Sequence, residues 1–263
     1  MTYDTLLWKR DGAVVHLTLN RPDRRNALTF PMMRELTAAF NQVCRDSSIR
    51  ILVLQGAGGH FSAGGDLAHM RSPPDESGPD PVASAYRRMG EALAALDALP
   101  QAVVAIVEGA CVGGGLGMVC AADYVITTTD AKFGMPEARA GFIPSQILPT
   151  VIRRIGEGQS LRLAVTARVI NGAEASRIGI AHEVVPDRAA LESAKASVLE
   201  DLAWAEPHAV AEIKRLVRLT TTESTAAVLD DAAGALSHLL ASPAAAEGIA
   251  AFQQKRPPDW AKP

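Results

Sequence analysis

Three cysteines, Cys44, Cys111 and Cys120, are too few and too irregularly spaced for a disulfide framework or a thiolate metal site. Free thiols in a reducing compartment, and no bound metal, are the expectation. The chain also lacks an excess of basic charge. Its formal net charge of −3 argues against a general nucleic-acid binder. No glycine segment fits Gly-x-Gly-x-x-Gly, and no Gly-Lys-Ser/Thr phosphate loop is present. The longest apolar stretch, Ala102 to Ile126, is broken by Glu108, Asp123 and a glycine cluster, which excludes a membrane span there. The first residues, with Asp4, Lys9, Arg10 and Asp11, have no signal-peptide core, so the expected location is cytoplasmic. No repeat of fixed period is visible. What remains is 263 residues, 48% hydrophobic, which suits one large domain or a core with a helical appendage.

What the chain does have is two glycine-rich segments. Phe61-Ser62-Ala63-Gly64-Gly65-Asp66-Leu67 follows the apolar run Ile49 to Gln55. Gly109 to Gly117, with a glycine triplet at 113–115, follows Ala102 to Val107. A glycine turn at a strand end leaves backbone N–H groups unpaired and lets a ligand approach the main chain. A helix that starts there adds its dipole. Both segments read as strand, turn, then helix. Two such turns can aim two N–H donors at one oxygen, the arrangement of an oxyanion hole.

Hydrophobic periodicity organises the rest. Residues 13–19, 49–54, 102–107, 124–127 and 182–185 read as strands, 31–46 as an amphipathic helix, and 114–122 as a short buried helix. The recurrence of strand, glycine turn and helix predicts an α/β fold with parallel strands. The proline-rich stretch from Ser72 to Pro81 predicts a loop beside the first glycine segment, either a lid or a plain surface excursion. From Arg188 onward the pattern is helical, over 188–204, 207–221, 224–241 and 243–254, with Pro207 and Pro243 in first turns. This gives a core over 1–187 and a C-terminal helical region over 188–263.

Phe-Ser-Ala-Gly-Gly-Asp-Leu, the glycine triplet, Phe133-Gly134-Met135-Pro136-Glu137 and Gly141-Phe142-Ile143-Pro144 occur in an order and spacing that resembles the enoyl-CoA hydratase/isomerase (crotonase) family. Leu17 to Pro22 with Arg25 to Leu28 resembles that family's start, and Phe252 to Arg256 its end. The resemblance implies a spiral of ββα units. It also implies an acyl-CoA thioester as substrate, with coenzyme A part of that substrate and no separate cofactor, and a homotrimer or dimer of trimers built through the helical tail. It assigns the oxyanion N–H groups to Gly65 and Gly114, and a catalytic carboxylate to Glu137. Arg24, Arg25 and Ala27 fall where members line the CoA pocket. Ala63, Asp66 and Leu67 lie in the ligand loop, Ser145 and Phe252 are further substrate- or CoA-binding candidates, and Lys255 approaches the CoA phosphates from a neighbouring subunit. Asp66 is expected to cap the following helix.

The sequence departs from the family pattern at one point. Hydratases of the family commonly use two glutamates, and the position three residues after the middle glycine is Gly117 here. One carboxylate can relay both protons of a hydration, or shuttle one proton between Cα and Cγ as a Δ3,Δ2-enoyl-CoA isomerase does; burial would have to raise its pKa. A non-catalytic acyl-CoA binder is the alternative from another class. The Gly-Leu-Gly-Met-Val-Cys and Gln-Lys-Arg-Pro-Pro-Asp-Trp-Ala segments resemble the branch hydrating 3-substituted glutaconyl-CoA thioesters such as methylglutaconyl- and isohexenylglutaconyl-CoA. Arg139 is a candidate partner for the distal carboxylate of such a substrate. Ser145 and Gln146 either orient a water or cap the next helix, and the cap is the expectation. His60 and Cys111 receive no role.

Overall fold

The computed structural model describes residues 2–69 and 79–261. Strands β1 (Leu6–Asp11) and β2 (Val14–Leu19) form a hairpin whose turn uses Gly12 at φ +55°. Helix α1 (Phe30–Arg45) follows, started by the Thr29 side chain, which accepts from Met32 N. Then come β3 (Ile51–Gly56), α2 (Pro81–Asp97), β4 (Ala102–Val107), β5 (Ala110–Val112) and α3 (Gly114–Ala121). The chain continues through β6 (Tyr124–Thr128), β7 (Lys132–Gly134), α4 (Leu148–Thr166), β8 (Val169–Asn171), α5 (Gly172–Arg177) and β9 (Glu183–Val185). Four helices close it: α6 (Arg188–Trp204), α7 (Pro207–Leu219), α8 (Thr225–Leu240) and α9 (Pro243–Gln254).

A six-stranded sheet in the order β1-β2-β3-β4-β6-β9 is parallel from β2 onward, and a smaller sheet runs β5-β7-β8. The expectation of parallel strands needs correction at two edges, where β1 pairs with β2 and β7 with β8 in antiparallel fashion. Successive pairs of strands step from the large sheet to the small one before a helix returns, as in β4-β5-α3 and β6-β7-α4.

The central strands are apolar on both faces because both faces are covered. Leu52, Leu54, Val103, Ala105, Val107 and Val125 join the main core with α1, α2 and α3. Their alternating neighbours Ile51, Val53, Val104, Ile106 and Ile126 pack against Leu191, Ala194 and Val198 of α6. The first helix of the C-terminal region therefore completes the sheet's second face. By contrast, α7 and α8 bury no residue fully. Polar contacts tie α7 to the core, where Lys214 Nζ donates to Gln101 O at 2.7 Å and pairs with Asp123, and Arg218 donates to Asp97 O at 3.0 Å; α8 is joined to α7 by the Arg215–Asp231 pair.

The expected loop over 72–81 falls mainly on residues 70–78, outside the described residues. Its last two residues belong to helix α2. Asp80 is the N-cap, accepting from Ala83 N at 2.9 Å, and Pro81 opens the helix. Among the described residues, no helix is long and apolar enough to cross a membrane.

Candidate active site

The two glycine segments meet side by side. Ser62 and Cys111 form a parallel bridge, with Ser62 N donating to Ala110 O and Val112 N to Ser62 O. Gly65 forms a second bridge with Leu28. The first segment is thus extended main chain that ends in a turn at Leu67–His69, and the helix expected after it runs into residues 70–78, outside the described residues. The Asp66 carboxylate accepts from Ala68 N, pairs with Arg21 at 3.0 Å and contacts His69 at 3.3 Å. The second segment does open a helix, α3, with Gly114 as its first residue and no side-chain cap.

Asn26 locks this corner, and sequence reasoning gave it no role. It is completely buried, at φ +55°, with Oδ1 accepting from Arg21 N and Nδ2 donating to Ala57 O and His60 O. Its main-chain oxygen accepts from Ser62 Oγ. The available signal was an asparagine, tolerant of left-handed backbone, beside Arg25 in the same conformation.

Glycine is required where the segments approach each other. Gly64 has φ +85°, and a Cβ there would sit 3.1 Å from Val112 O. At Gly113, φ is +53°, and a Cβ would lie 2.9 Å from Glu137 Oε1 and 3.5 Å from Gly64 Cα. These contacts place the Glu137 carboxylate at the junction of the two segments. The Gly65 and Gly114 N–H groups have no hydrogen-bond partner among the described residues.

A cavity of about 280 Å³ opens at this junction. Its walls include Ala63, Gly64, Gly65, Gly113, Gly114 and Glu137, with Leu28, Phe30, Tyr86, Met89, Phe142 and Ile143 giving an apolar extension. Glu137 stands in a short 3-10 turn, Pro136–Ala140, whose proline start and Gly141 end (φ +79°) hold it rigidly. Its Oε2 is buried without a hydrogen-bond partner, and burial pushes its pKa above the usual 4.5. Desolvation acts there without a nearby cation to offset it.

The other expected residues divide clearly. Ala63, Asp66, Leu67 and Ser145 line the cavity together with Glu137, Gly65 and Gly114. Arg24, Arg25, Ala27, Phe252 and Lys255 do not. Arg24 and Arg25 are exposed, and Phe252 is 86% exposed on α9 with Lys255 following it. Arg139 is exposed and outside the cavity; His69, held by Asp66, is the one basic side chain among its described lining residues. Ser145 and Gln146 do not cap α4, whose N-cap is Ile147 with no side-chain bond; both line the cavity instead. His60 Nδ1 accepts from Ala110 N, and Cys111 is a buried thiol whose pKa burial raises. All three cysteines are free. Among the described residues no cluster of potential metal ligands occurs.

At Gly117 the second carboxylate of the common hydratase pattern is absent, and so is the room for it. A Cβ there would lie 2.5 Å from Ile147 Cγ2 and 3.3 Å from Leu93 Cδ1. The space is filled by buried hydrocarbon.

Comparison with known proteins follows this geometry. The solved structure of Pseudomonas aeruginosa AtuE is 42% identical and superposes with a TM-score of 0.95, covering 98% of this chain and all (100%) of that one. The enoyl-CoA hydratase EchA19 of Mycobacterium tuberculosis is 36% identical over 97% of this chain and 95% of its own length. The peroxisomal Δ(3,5)-Δ(2,4)-dienoyl-CoA isomerase of Arabidopsis thaliana is 29% identical over 99% of this chain and 97% of its length. The family profile for enoyl-CoA hydratase/isomerase matches residues 9–263. The chain therefore has the crotonase fold and belongs to the enoyl-CoA hydratase/isomerase family, whose members act on acyl-CoA thioesters.

Proposed function

We propose that this protein adds water to the double bond of a 2-enoyl-CoA thioester. The Gly65 and Gly114 N–H groups receive the thioester oxygen, and Glu137 is the single proton carrier. The observation that carries this reading is the buried, unpartnered Glu137 Oε2, in one cavity with two unpartnered glycine amides. Donors fixed in a water-poor site contribute about 3 kcal/mol each when they meet developing negative charge. As water attacks Cβ, the π electrons move toward the thioester and the oxygen gains enolate character. Glu137 takes the proton from water and returns a proton to Cα, ending as the carboxylate it began as. Its raised pKa brings it closer to the range in which one group can both accept and donate near neutrality.

An isomerase reading is favoured by one specific observation, the filled space at Gly117. An isomerase needs only one carboxylate, to move a proton between Cα and Cγ, and no water site. A panel of crotonyl-CoA, 3-methylglutaconyl-CoA and a 3-enoyl-CoA, read by mass spectrometry, separates the two. Gain of water on a 2-enoyl thioester, abolished in Glu137→Gln, is the expected result. A double-bond shift on the 3-enoyl thioester without added water would replace the hydratase reading with the isomerase one. A binder would keep CoA affinity and show no turnover with any substrate. The branched glutaconyl thioester stands in this panel as the finer proposal.

Further parts of the proposal concern assembly. Arg24 and Arg25 are exposed and Ala27 half-buried beside the Asn26 corner, where CoA phosphates would find cations without displacing a buried ion pair. Phe252 and Lys255 reach no part of their own chain's cavity, which suits a role at a neighbouring subunit's site. Ile213, Val217, Leu229, Leu236 and Leu240 are all more than half exposed on α7 and α8. A homotrimer or dimer of trimers burying this face, in the cytoplasm, is the assembly we propose.

A further inference from the structure

With no carboxylate at position 117, the proposed hydration lacks a second group to hold the attacking water. We propose that the Ser145 hydroxyl holds that water against Glu137, and that Gln146 is a positioning residue that orients Ser145. This inference rests on the hydratase reading.

The segment that closes the Gly117 site also forms part of the cavity wall. Ile147 fills the space a longer side chain at 117 would need, and the two residues before it, Ser145 and Gln146, are thereby set in the cavity wall. The same segment carries Glu137 at its other end. It is braced by Gly141 N donating to Ala138 O at 3.2 Å, Phe142 N to Glu137 O at 3.3 Å and Ser145 N to Ile143 O at 2.9 Å. Base and hydroxyl thus belong to one short, self-bonded loop, which fixes their relation without help from distant parts of the chain.

Partners and position together single out the serine. Of the other polar side chains in the described lining, Asp66 and His69 are engaged with each other, and Tyr86, its ring edge-on against Phe30 at 5.8 Å, belongs to α2 and not to the loop that carries Glu137. Gln146 Nε2 donates to Ser145 Oγ at 3.4 Å, while the Gln146 amide oxygen is wedged against Gly90 of α2, where an added Cβ would come within 2.3 Å of it. The missing side chain at Gly90 is what leaves room for the amide there. Ser145 Oγ receives one hydrogen bond, and its own hydrogen and second lone pair have no partner among the described residues. Glu137 Oε2 is likewise unpartnered. A water between them donates one hydrogen to Glu137 and the other to Ser145 Oγ, leaving an oxygen lone pair for the substrate.

The step balances. A bond forms between the water oxygen and Cβ as the proton on the Glu137 side passes to the carboxylate, and the π pair becomes an enolate held by the Gly65 and Gly114 N–H groups. Glu137 then gives a proton to Cα and the carbonyl re-forms. The second water hydrogen stays on oxygen as the product hydroxyl, hydrogen-bonded to Ser145. Nothing is oxidised or reduced.

Hydration needs this water, whereas exchange of the α-hydrogen of a saturated thioester needs only Glu137 and the two amides. The test measures both in Ser145→Ala, Ser145→Thr and Gln146→Leu, using crotonyl-CoA in water and butyryl-CoA in deuterium oxide. Ser145→Ala should lose hydration kcat by about 100-fold while deuterium exchange stays within about twofold, as expected when one positioned polar group is removed. Ser145→Thr should recover most of the loss, and Gln146→Leu should lower kcat by about 10-fold with little change in KM. Unchanged hydration in Ser145→Ala, or an equal fall in hydration and exchange, would overturn the assignment to Ser145. A wild-type protein that exchanges deuterium but hydrates no 2-enoyl thioester would overturn the hydratase reading itself.

Discussion

Positions 117 and 137 are the two places where a common hydratase of this family carries a glutamate, and here they have opposite surroundings. Glu137 faces a cavity with one oxygen buried and unpartnered, and burial raises its pKa. Gly117 lies inside packed hydrocarbon, with Ile147 and Leu93 where a side chain would extend. The contrast shows that position 117 has no room for a second carboxylate among its present neighbours. Restoring the residue alone would bury a charge in an apolar site, whereas removing Glu137 would take from the junction the carboxylate that lies against Gly113. Loss and compensation have to be read in terms of space as well as residue identity.

The most severe way to break this comparison is at position 137. Glu137→Gln keeps the shape and removes the proton carrier, so hydration should fall by about 10³-fold or more with acyl-CoA binding retained. Steady-state turnover beside calorimetric CoA binding checks it. Next in size is Gly113→Ala. Its φ of +53° strains any Cβ, and the new methyl would press on Glu137 Oε1 at 2.9 Å. Activity should fall by about 100-fold, a loss of about 3 kcal/mol in transition-state binding, visible in kcat/KM.

Gly117→Glu should sharpen the contrast from the other side. It should not raise hydration. Overpacking and a buried charge should instead lower stability by about 3 kcal/mol or more, measured by chemical denaturation. Adding Ile147→Gly to Gly117→Glu should recover part of that loss by reopening the space.

The smallest expected effect concerns pH. A carboxylate whose folded pKa is raised stabilises the fold below its ordinary value of 4.5, and that contribution is lost as pH rises through the folded value. Thermal unfolding of wild type and Glu137→Gln should therefore coincide in acid and diverge as pH rises, with the glutamine variant the more stable. Hydration should show the matching acid limb, with its midpoint above 4.5 because Glu137 must be ionised to accept a proton.

Much of the fold was legible because its signals are local. The all-apolar β4 run, the glycine triplet before α3, and the Pro207 and Pro243 helix starts each have a short-range cause. Strands β5, β7 and β8 were not visible, since each is only three residues long and exists through pairing with the others. The site divided the same way. Glu137, Gly65 and Gly114 were marked by motif, but Asn26 acts through hydrogen bonds to residues 31 and 34 positions away, which no local pattern reveals. The reading of Ser145 and Gln146 as a cap failed because α4 begins at Leu148, after Ile147 has turned into the core.

If Glu137, facing the two glycine amides, moves protons at the carbon beside a thioester, the α-carbon of butyryl-CoA should exchange its hydrogen with deuterium oxide. Mass spectrometry of wild type and Glu137→Gln should then find exchange in the first and none above background in the variant. Exchange that persists undiminished in Glu137→Gln would contradict this role of Glu137.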